Sequence, residues 1–536
     1  MKKKILCITA LCLVMSMLAG CSAIVEYFDR LSQLLGGYVT DFGDMEYTRP
    51  DMVHFRQVLD SGCEQAATET DFSRLEEIIL DFYMVYEDFY TNYFLATIHY
   101  SKDLTDTYWE AENTFCTENS PEVDAGLDRL YRVLAKSPLR QQLEQDDYFG
   151  AGFFEAYEGE SVYDETFNGL LSQEAALINQ YYAISGQSAA TAYYSEEYFS
   201  VYGAQMEELF VELVALRQQI ARYAGYESYP EFAYDFYFAR DYAVADAEAY
   251  MIQIQQLVPL YRQLNASNFW DMQLQYTSEQ QTMSYVQEMA GNMGGMIQDA
   301  FALMQEAHLY DISYGKNKFD SSFEVYLYSY QVPYVFVNPT LTAYDKLTFT
   351  HEFGHFCSDY ASFGSVAGVD VAEVFSQGLE YLSLCYTKNN EDLKKLRMAS
   401  CLTTYVEQAA YACFEHQVYD LSGEELTTEN VRALYQSVGS TYGFDSWNWD
   451  SRDYVCISHF FTSPMYIISY VVSNDAAFQL YQMEQASAGS GLACYRENLA
   501  TTEAYFLSFL QSAGLESPFL PGRLETVKET LQAILQ

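Results

Sequence analysis

Five consecutive residues of the chain, His351, Glu352, Phe353, Gly354 and His355, include the types and spacing needed to bind a metal ion and to move a proton. Histidines four residues apart project from the same face of an α-helix, so both imidazoles can reach one tetrahedral ion. Glu352 is placed to take a proton from a water at the metal. The motif therefore predicts a hydrolytic zinc site with His351 and His355 as ligands and Glu352 as general base.

A catalytic zinc of this kind needs a third protein ligand, and two histidines with one glutamate form one such set. The segment 368–386 carries polar residues at the spacing of one helix face, namely Asp370, Glu373, Gln377 and Glu380. A polar stripe often only faces solvent, but this segment is apolar on its other faces, so we expect the stripe to turn inward. Glu373 is the predicted third ligand. Glu380 or Asp370 is the predicted hydrogen-bond partner of a ligand histidine.

A further group of polar residues could stabilise the oxyanion that forms when water attacks an amide carbonyl. Ser463 and Pro464 predict the N-cap and the first residue of an apolar helix. This start places Tyr466 and Tyr470 on one face, with His459 just before the helix. Phenol and imidazole groups are suitable donors to an oxyanion. A lone histidine is as often a core residue, but the two tyrosines favour the functional interpretation, and their individual roles stay open.

The elements that position these groups follow from residue patterns. The segment 324–338 is β-branched and aromatic and predicts a strand, in which Pro333 indicates a hairpin or an edge strand. The chain then enters the helix of the metal motif, with Thr342 as the predicted N-cap and Asp345 in the first turn. Gly354 within that helix costs about 1 kcal/mol relative to alanine, so we expect another element to pack closely against it.

Long amphipathic helices are predicted before this segment. From residue 50 to about 310, glycine and proline are sparse and apolar residues recur every three or four positions, as in 73–104 and 211–226. The 536 residues, 50% of them hydrophobic, suffice for two lobes around a large core. We predict a mainly α protein with an N-terminal helical lobe over 50–310 and a zinc-binding catalytic lobe over 311–536.

The N-terminus has the features of an export signal. Three lysines precede a long apolar run within residues 1–20, and the following Leu-Ala-Gly-Cys sequence resembles the lipobox of bacterial lipoproteins. We predict that residues 1–20 are removed, that Cys21 is lipidated, and that residues 21–49 form a stalk. Acyl chains on Cys21 would anchor the protein to the bacterial cell membrane, facing outside the cytoplasm. The alternative is an ordinary signal peptide with a chance cysteine.

Charge and cysteine content restrict the partners. The formal net charge is −47, and loss of residues 1–20 would remove three lysines and no acid, which gives −50 (−47 − 3). Such a chain repels nucleic acid and anionic lipid headgroups. The eleven cysteines include no C-x-x-C pair, and their spacing assigns no disulfide. We expect Cys357 and Cys385 to be buried thiols.

The motifs together resemble the M3 metallopeptidases, the family of thimet oligopeptidase and oligoendopeptidase F. The similar pieces are VPYVFVN before THEFGH, EVFSQGLEYL where the family has E-x-P-S-Q-x-x-E, and HFFTSPMYIISY. Phe375 stands where the family has proline. The gap between the His-Glu-x-x-His motif and Glu373 is several residues shorter than usual in the family, and we expect this shorter loop to affect substrate selection rather than metal binding. By position, the resemblance implies that the zinc ligands are His351, His355 and Glu373 and that the general base and acid is Glu352. It also implies substrate contacts at His459, Tyr466 and Tyr470.

The resemblance also implies a fold and an activity. The expected fold is a mainly α, two-lobed helical zincin with a deep channel and a small β-sheet beside the active-site helix. The expected activity is hydrolysis of short unstructured oligopeptides by an endopeptidase with one Zn²⁺ per chain, the substrate adding as a strand along Tyr334, Val335 and Phe336. A zinc carboxypeptidase of similar fold and a non-catalytic peptide-binding lipoprotein are the alternatives. Cleavage preference and oligomeric state are not determined.

Overall fold

The structure, a computed structural model, describes residues 40–145, 149–188, 195–267, 275–364, 367–447 and 449–535. The predicted signal peptide, the predicted lipidation residue Cys21 and the part of the predicted stalk before residue 40 lie outside the described residues. Within the described ranges, no helix has both the length and the apolar character that crossing a membrane would require.

The first helices begin at acidic caps. Asp51, Asp71 and Asp106 each accept hydrogen bonds from backbone N–H groups of the turn that follows, which satisfies donors that a helix start leaves without partners. The helices of this part pack against one another and are α1 (Met52–Ala66), α2 (Phe72–Lys102), α3 (Thr107–Leu134) and the short α4 (Arg140–Leu143). Two 3-10 turns accompany them, at Phe42–Asp44 and Phe153–Tyr157.

The further elements that the structure describes up to residue 306 are helices. The bounds are α5 (Glu165–Ser188), α6 (Glu196–Tyr198), α7 (Ala204–Tyr223), α8 (Tyr229–Phe236), α9 (Val244–Ile254), α10 (Val258–Asn265), α11 (Glu279–Met293) and α12 (Met296–Glu306). A π-helical turn (Phe199–Gly203) leads into α7, and a 3-10 turn (Gln255–Leu257) joins α9 to α10. The long helices predicted over 73–104 and 211–226 are confirmed as α2 and α7.

A three-stranded sheet follows, made of β1 (Tyr310–Asp311), β2 (Ser322–Leu327) and β3 (Val332–Val337) in the order β1-β3-β2. β1 runs parallel to β3, with Tyr310 opposite Val335, and β2 runs antiparallel to β3, with Glu324 opposite the same residue. A 3-10 turn (Tyr328–Tyr330) and Gln331, whose φ is 54°, close the β2–β3 hairpin.

The predicted hairpin is therefore confirmed, but the prediction that β3 is an edge strand is wrong. Val335 donates its N–H to Leu309 across the β1 side, so the nitrogen of Pro333, two residues earlier, points to the same side. Because this nitrogen faces β1, the donor that Pro333 lacks is not part of the β2–β3 ladder. β1 is only two residues long and does not extend to Pro333, so no bond is lost on that side either. Among the described residues, β2 pairs only with β3 and leaves its other edge open.

The last part of the chain carries the remaining helices. They are α13 (Asp345–Ser362), α14 (Val369–Tyr386), α15 (Glu391–Thr403), α16 (Ala409–Val418), α17 (Thr428–Thr441), α18 (Ser458–Thr462), α19 (Ile467–Ala486), α20 (Ser490–Asn498), α21 (Phe506–Ala513) and α22 (Arg523–Leu535). A π-helical turn (Thr404–Gln408) links α15 to α16, and 3-10 turns lie at Gly423–Glu425, Phe444–Ser446 and Asp453–Cys456. α14 packs against both α13 and α19, and α13 packs on the sheet.

The start of α13 differs slightly from the prediction. Asp345 lies in the first turn, as predicted, but the N-cap is Tyr344 rather than Thr342. The carboxylate of Asp345 instead reaches back and accepts the N–H groups of Thr340 and Thr342 at 2.9 and 3.1 Å. This contact holds the turn between β3 and α13, because an acidic group near a helix N-terminus can satisfy free backbone donors.

Buried apolar residues form two clusters. One joins α1, α2 and α3 to Tyr326 and Tyr328 of the hairpin, and the larger one extends from α5 through the sheet to α22. Residues 165–310 thus share a core with the helices after the sheet, and that core continues across the predicted lobe boundary at residue 310. The mainly α fold class is confirmed. Cys357 is buried, as predicted, whereas Cys385 is only partly buried.

Candidate active site

Two helices bring the three predicted metal ligands together. His351 and His355 lie one turn apart on α13, and Glu373 faces them from α14, with Nε2 of His351 3.3 Å from Oε2 of Glu373 and Nε2 of His355 3.7 Å from Oε1. One ligand atom from each of the three residues lies within 4.8 Å of the others. Zinc bonds of about 2.1 Å in a tetrahedron place neighbouring ligand atoms about 3.4 Å apart, so the cluster fits one such ion with little adjustment.

Gly354 allows the two helices to approach. A Cβ atom at this position would lie 2.6 Å from the Cα of Ser376 and 2.8 Å from the carbonyl oxygen of Phe375, both in the backbone of α14. The close packing that the sequence predicted at Gly354 is therefore confirmed. Since Glu373 lies on the same turn of α14, the glycine sets the distance between the histidines and the carboxylate.

The polar stripe of α14 faces inward. Glu373 is 1% exposed and Glu380 is 7% exposed, so neither side chain is a solvated surface group. Glu380 Oε1 lies 2.8 Å from Nδ1 of His351, and its Oε2 lies 2.8 Å from Nε of Arg397. Arg397 in turn stacks 3.7 Å above the ring of Tyr381. This chain of contacts leaves Nε2 of His351 directed at the metal position.

Asp370 has a different role from the one predicted. Its Oδ2 accepts a hydrogen bond from the hydroxyl of Tyr242 at 2.8 Å and lies 3.3 Å from Nε of Arg240. The prediction that Asp370 contacts a ligand histidine is thus wrong, because a buried arginine that sequence inspection did not single out takes the carboxylate instead. Of the two candidates, Glu380 is the partner of His351.

Burial and charge set the ionisation of the two glutamates. Burial acts to raise the pKa of Glu373, but the adjacent His351 and His355 outweigh it and lower that pKa to about 2, so the group is the carboxylate that a metal requires. Burial raises the pKa of Glu352 to about 7, against the opposing effect of His351 and of the Ser322 hydroxyl. That hydroxyl, from the edge strand β2, donates to Glu352 Oε1 at 2.6 Å. A carboxyl group with a pKa near neutrality can both accept and return a proton.

Two tyrosines and a histidine lie against this cluster. The hydroxyl of Tyr466 donates to Oε1 of Glu373 at 2.6 Å, and the hydroxyl of Tyr470 lies 3.0 Å from Nε2 of His459. The ring centroids of the two tyrosines are 5.3 Å apart. All three side chains line the same cavity as Glu352. The structure therefore brings the predicted donors together and gives the two tyrosines different partners.

The predicted helix start at Ser463 and Pro464 is wrong. Ser463 ends α18, which carries His459, and α19 begins only at Ile467 with Tyr466 as its N-cap. The residues between them form a turn in which Met465 adopts a positive φ of 65°. A non-glycine residue in this region is uncommon, so its surroundings have to hold it there.

Two buried side chains hold that turn from both sides. Arg240 donates to the carbonyl oxygen of Met465 at 2.9 Å, and Glu415 accepts the N–H of Met465 at 3.0 Å. Arg240 also donates to Ser469 Oγ at 2.8 Å and is sandwiched between the rings of Tyr234 and Phe238. Because Met465 precedes Tyr466, these contacts place the phenol that bonds Glu373.

Arg217 holds the backbone of α18, as Arg240 holds the turn at Met465. Its side chain is 0% exposed, it bonds Glu174 at 2.6 Å, and it donates to the carbonyl oxygens of Phe460 and Phe461 in α18. The helix that carries His459 is thereby tied to α7 and α5. The sequence reasoning did not find Arg217, Arg240, Arg397 or Ser322; an arginine within the aromatic run Phe236–Tyr242 is the one signal that could have pointed to Arg240.

The site opens into a cavity of about 520 Å³. Its lining includes the start of β2, from Ser321 to Val325, and residues of α2 and α5. The residues predicted as the substrate strand do not reach it, because Tyr334, Val335 and Phe336 are fully buried in the central strand. The open edge beside the candidate metal site belongs to β2.

Comparison with known proteins agrees with this fold. Residues 42–161 match the model of the Peptidase M3 N-terminal domain. The whole fold is similar to a solved putative oligoendopeptidase F (TM-score 0.82, 20% identity, 92% of this chain and 98% of that chain covered). It is also similar to PZ peptidase A with an inhibitor (TM-score 0.82, 19% identity, 92% of this chain and 99% of that chain covered). A putative oligoendopeptidase F from Bacillus anthracis has a TM-score of 0.79 and 20% identity, with 92% of this chain and 98% of that chain covered. Among curated protein sequences, none matches the chain.

The fold and the site define a mainly helical protein whose His-Glu-x-x-His helix faces a cavity of about 520 Å³. The fold likenesses lie below 25% identity and concern the fold alone. The match of residues 42–161 to the Peptidase M3 N-terminal domain agrees with the family resemblance inferred from the sequence. The matched domain and the fold together support a peptidase function. The lipoprotein form stays a prediction.

Proposed function

We propose that the protein is a zinc-dependent endopeptidase that hydrolyses short, unstructured oligopeptides. The observation that carries the proposal is the convergence of His351, His355 and Glu373 beside Glu352 at one end of the cavity. Donor type, ionisation and spacing all fit zinc: two imidazoles and one carboxylate held at a low pKa. Bound there, zinc would act as a Lewis acid that lowers the pKa of water and polarises the scissile carbonyl.

Glu352 moves the proton in this proposal. Its carboxylate takes a proton from the attacking water and returns it to the leaving amine. The Ser322 hydroxyl, at 2.6 Å, holds Oε1 of Glu352 and leaves Oε2 for the water. Because Ser322 belongs to the edge strand β2, binding of a peptide along that strand would also adjust the position of the base.

The phenols divide between two tasks. Tyr470, next to His459, supplies the hydrogen-bond donor for the oxyanion that develops on the carbonyl. Tyr466, bonded to Glu373, orients the ligand carboxylate. This division predicts that Tyr470→Phe lowers kcat and leaves zinc affinity unchanged, whereas Tyr466→Phe lowers zinc affinity.

The substrate backbone adds to β2. Ser322, Phe323, Glu324 and Val325 line the cavity, and this strand has an open edge beside the candidate metal site. Main-chain hydrogen bonds to such an edge bind an extended peptide without depending on its side chains. A folded protein cannot present a single extended strand inside a cavity of about 520 Å³, which restricts substrates to short flexible peptides.

The test compares the exported form of the wild type with Glu352→Gln. Zinc content is measured by elemental analysis, and cleavage of quenched peptides is measured with identification of the products by mass spectrometry. We expect one zinc per chain in both proteins and cleavage within the peptide by the wild type alone. Stepwise loss of C-terminal residues would instead identify a carboxypeptidase. Zinc with peptide binding but no products would identify a non-catalytic binding protein.

The location is part of the proposal. The lysines, the apolar run and the cysteine at residue 21 support export and lipid anchoring to the bacterial membrane, with the peptidase outside the cytoplasm. Cys21→Ala should release the protein from the membrane fraction into the medium or periplasm. An unchanged distribution between the fractions would contradict the lipid anchor.

A further inference from the structure

The cavity of the candidate site has an unusual charge composition. Among the described residues that line it, none is a lysine or an arginine, whereas three are glutamates. Two of these, Glu352 and Glu373, belong to the proposed zinc site, where their charges offset the two positive charges of the ion. Glu324 remains as a carboxyl group that the hydrolytic chemistry does not use.

Glu324 lies on the strand along which we place the substrate. It is two residues beyond Ser322, so both side chains point to the same face of β2, toward α13. The carboxyl group of Asp359 on α13 lies within hydrogen-bonding reach of it. Oε1 of Glu324 has no hydrogen-bond donor among the described residues. Burial, and then the neighbouring Asp359, raise the pKa of Glu324 well above its ordinary value, so the carboxyl pair holds a proton. A cationic donor bound beside Glu324 would favour its ionised form and displace that proton.

An aromatic wall also lines the cavity. It presents Tyr93, Phe94, Tyr100, Tyr182 and Phe319, and Phe323 lies beside Glu324 on β2. Lysines and arginines stack on many rings elsewhere in the described chain, but the cation–π contacts found there use none of these six. An aromatic face in a partly desolvated cavity attracts a guanidinium or ammonium group.

The whole molecule adds a field of the same sign. The net charge of −47 raises the local concentration of cations near the surface and repels anionic peptides. A peptide with a negative side chain would meet no compensating lysine or arginine among the described residues that line the cavity. The local contacts in the cavity and the long-range field of the molecule therefore both favour cationic peptides over anionic ones.

We propose that the substrates are cationic oligopeptides, in which an arginine or lysine side chain next to the scissile bond pairs with Glu324 and passes along the aromatic wall. The proposal rests on the proposed peptidase function and specifies its substrate class. Main-chain contacts to β2 would still admit other peptides, but with a lower kcat/KM.

The test uses the zinc-loaded protein and quenched peptides that differ at one position, which carries arginine, its neutral isostere citrulline, or glutamate. The position is moved stepwise along both sides of the cleaved bond. At one position we expect kcat/KM to be about ten-fold higher for arginine than for citrulline and lowest for glutamate, which corresponds to a difference of about 1.4 kcal/mol. The ratio should fall as salt is raised, because salt screens the field.

Glu324→Gln is the decisive variant, because it preserves shape and removes the charge. The arginine-to-citrulline ratio should fall toward one at the sensitive position and stay unchanged at the others. A wild type that cleaves the three peptides equally well, with no effect of salt, would overturn the proposal and leave the peptidase function intact. If Glu324→Gln does not fold, the salt dependence of the arginine-to-citrulline ratio of the wild type tests the proposal instead.

A binding measurement separates this inference from the proposed function. Fluorescence anisotropy with Glu352→Gln and labelled peptides reports affinity without turnover. Preference for the arginine peptide in binding, with no cleavage by the wild type, would support the charge selection and refute the peptidase. Equal affinity for the arginine and citrulline peptides would refute the charge selection.

Discussion

Arg240 offers a test of how the fold places Tyr466. Its Nη2 donates to the carbonyl oxygen of Met465 and to Ser469 Oγ, and its Nε faces Asp370. Arg240→Lys keeps the charge beside Asp370, but one ammonium group lacks the fork that reaches all three acceptors. Hydrogen bonds to a charged donor contribute about 1.5 to 3 kcal/mol, so with one such bond lost we expect the free energy of unfolding to fall by about 2 kcal/mol.

The substitution should also weaken zinc binding, although Arg240 contacts none of the three ligands. Without the bond to its carbonyl oxygen, Met465 can leave its positive φ, and the hydroxyl of Tyr466 then loses its 2.6 Å contact with Glu373. Loss of a hydrogen-bond partner of a metal ligand lowers affinity by about 10 to 100-fold. The expected loss for Arg240→Lys lies within that range and does not exceed the loss for Tyr466→Phe.

The assay is a competition for zinc with a chelator of known affinity, on the wild type, Arg240→Lys, Tyr466→Phe and the double variant. If Arg240 acts through Tyr466, the double variant binds zinc no more weakly than Tyr466→Phe, because the contact is already absent. If the two losses simply add, the reasoning is refuted, since Arg240 would then act by another route, such as the position of α14 through Asp370.

Arg217→Lys is the matched control. The side chain of Arg217 is as fully buried as that of Arg240, and it also donates to backbone carbonyls, but to those of α18 rather than of the turn before Tyr466. Arg217→Lys should lower the free energy of unfolding by a similar amount and leave zinc affinity unchanged. A loss of zinc affinity equal to that of Arg240→Lys would show that any disturbance of this core reaches the metal.

Three further predictions concern other parts of the molecule. Gly354→Ala should lower the free energy of unfolding by about 1 to 3 kcal/mol in urea titrations, because its Cβ meets the backbone of α14, whereas Gly169→Ala in α5, where nothing lies within 4 Å, should not destabilise. Glu380→Gln should weaken zinc affinity by about 10 to 100-fold, because His351 loses a charged acceptor; unchanged affinity would contradict the role of this contact. Burial raises the pKa of Glu87 from 4.5 to about 7, so the folded state binds more protons than the unfolded state and stability falls as pH rises between these values. Relative to the wild type, Glu87→Gln should gain about 3 kcal/mol between pH 4.5 and pH 8, and a constant difference would contradict the pKa shift.

The metal ligands illustrate what local periodicity can predict. His351 and His355 share a face of any helix that contains them, and the stripe from Asp370 to Glu380 shares a face of the next helix. The apolar residues on the other faces of α14 indicated that the stripe is buried, which the exposures of 1% for Glu373 and 7% for Glu380 confirm. Gly354 pointed to the close contact between the two helices.

The substrate strand shows where that reasoning ends. Strand composition identified β3, but the edge of a sheet depends on which segments pair, and β1 is a two-residue strand with no sequence signal of its own. Pro333 suggested an edge, yet its nitrogen points to the side on which β1 is too short to pair with it. Pairing is a contact between residues distant in the chain, so only the folded sheet assigns the open edge to β2.

The helical fold class, the three candidate ligands and the candidate base could be predicted from the sequence, because they depend on the helix period and on residue chemistry. The pairing of Asp370 with Arg240, the contact of Tyr466 with Glu373 and the turn at Met465 between α18 and α19 could be found only in the folded structure. Each of these depends on buried charged groups that come from segments far apart in sequence. A buried charge must find a partner, and which partner lies within reach is set by packing rather than by spacing along the chain.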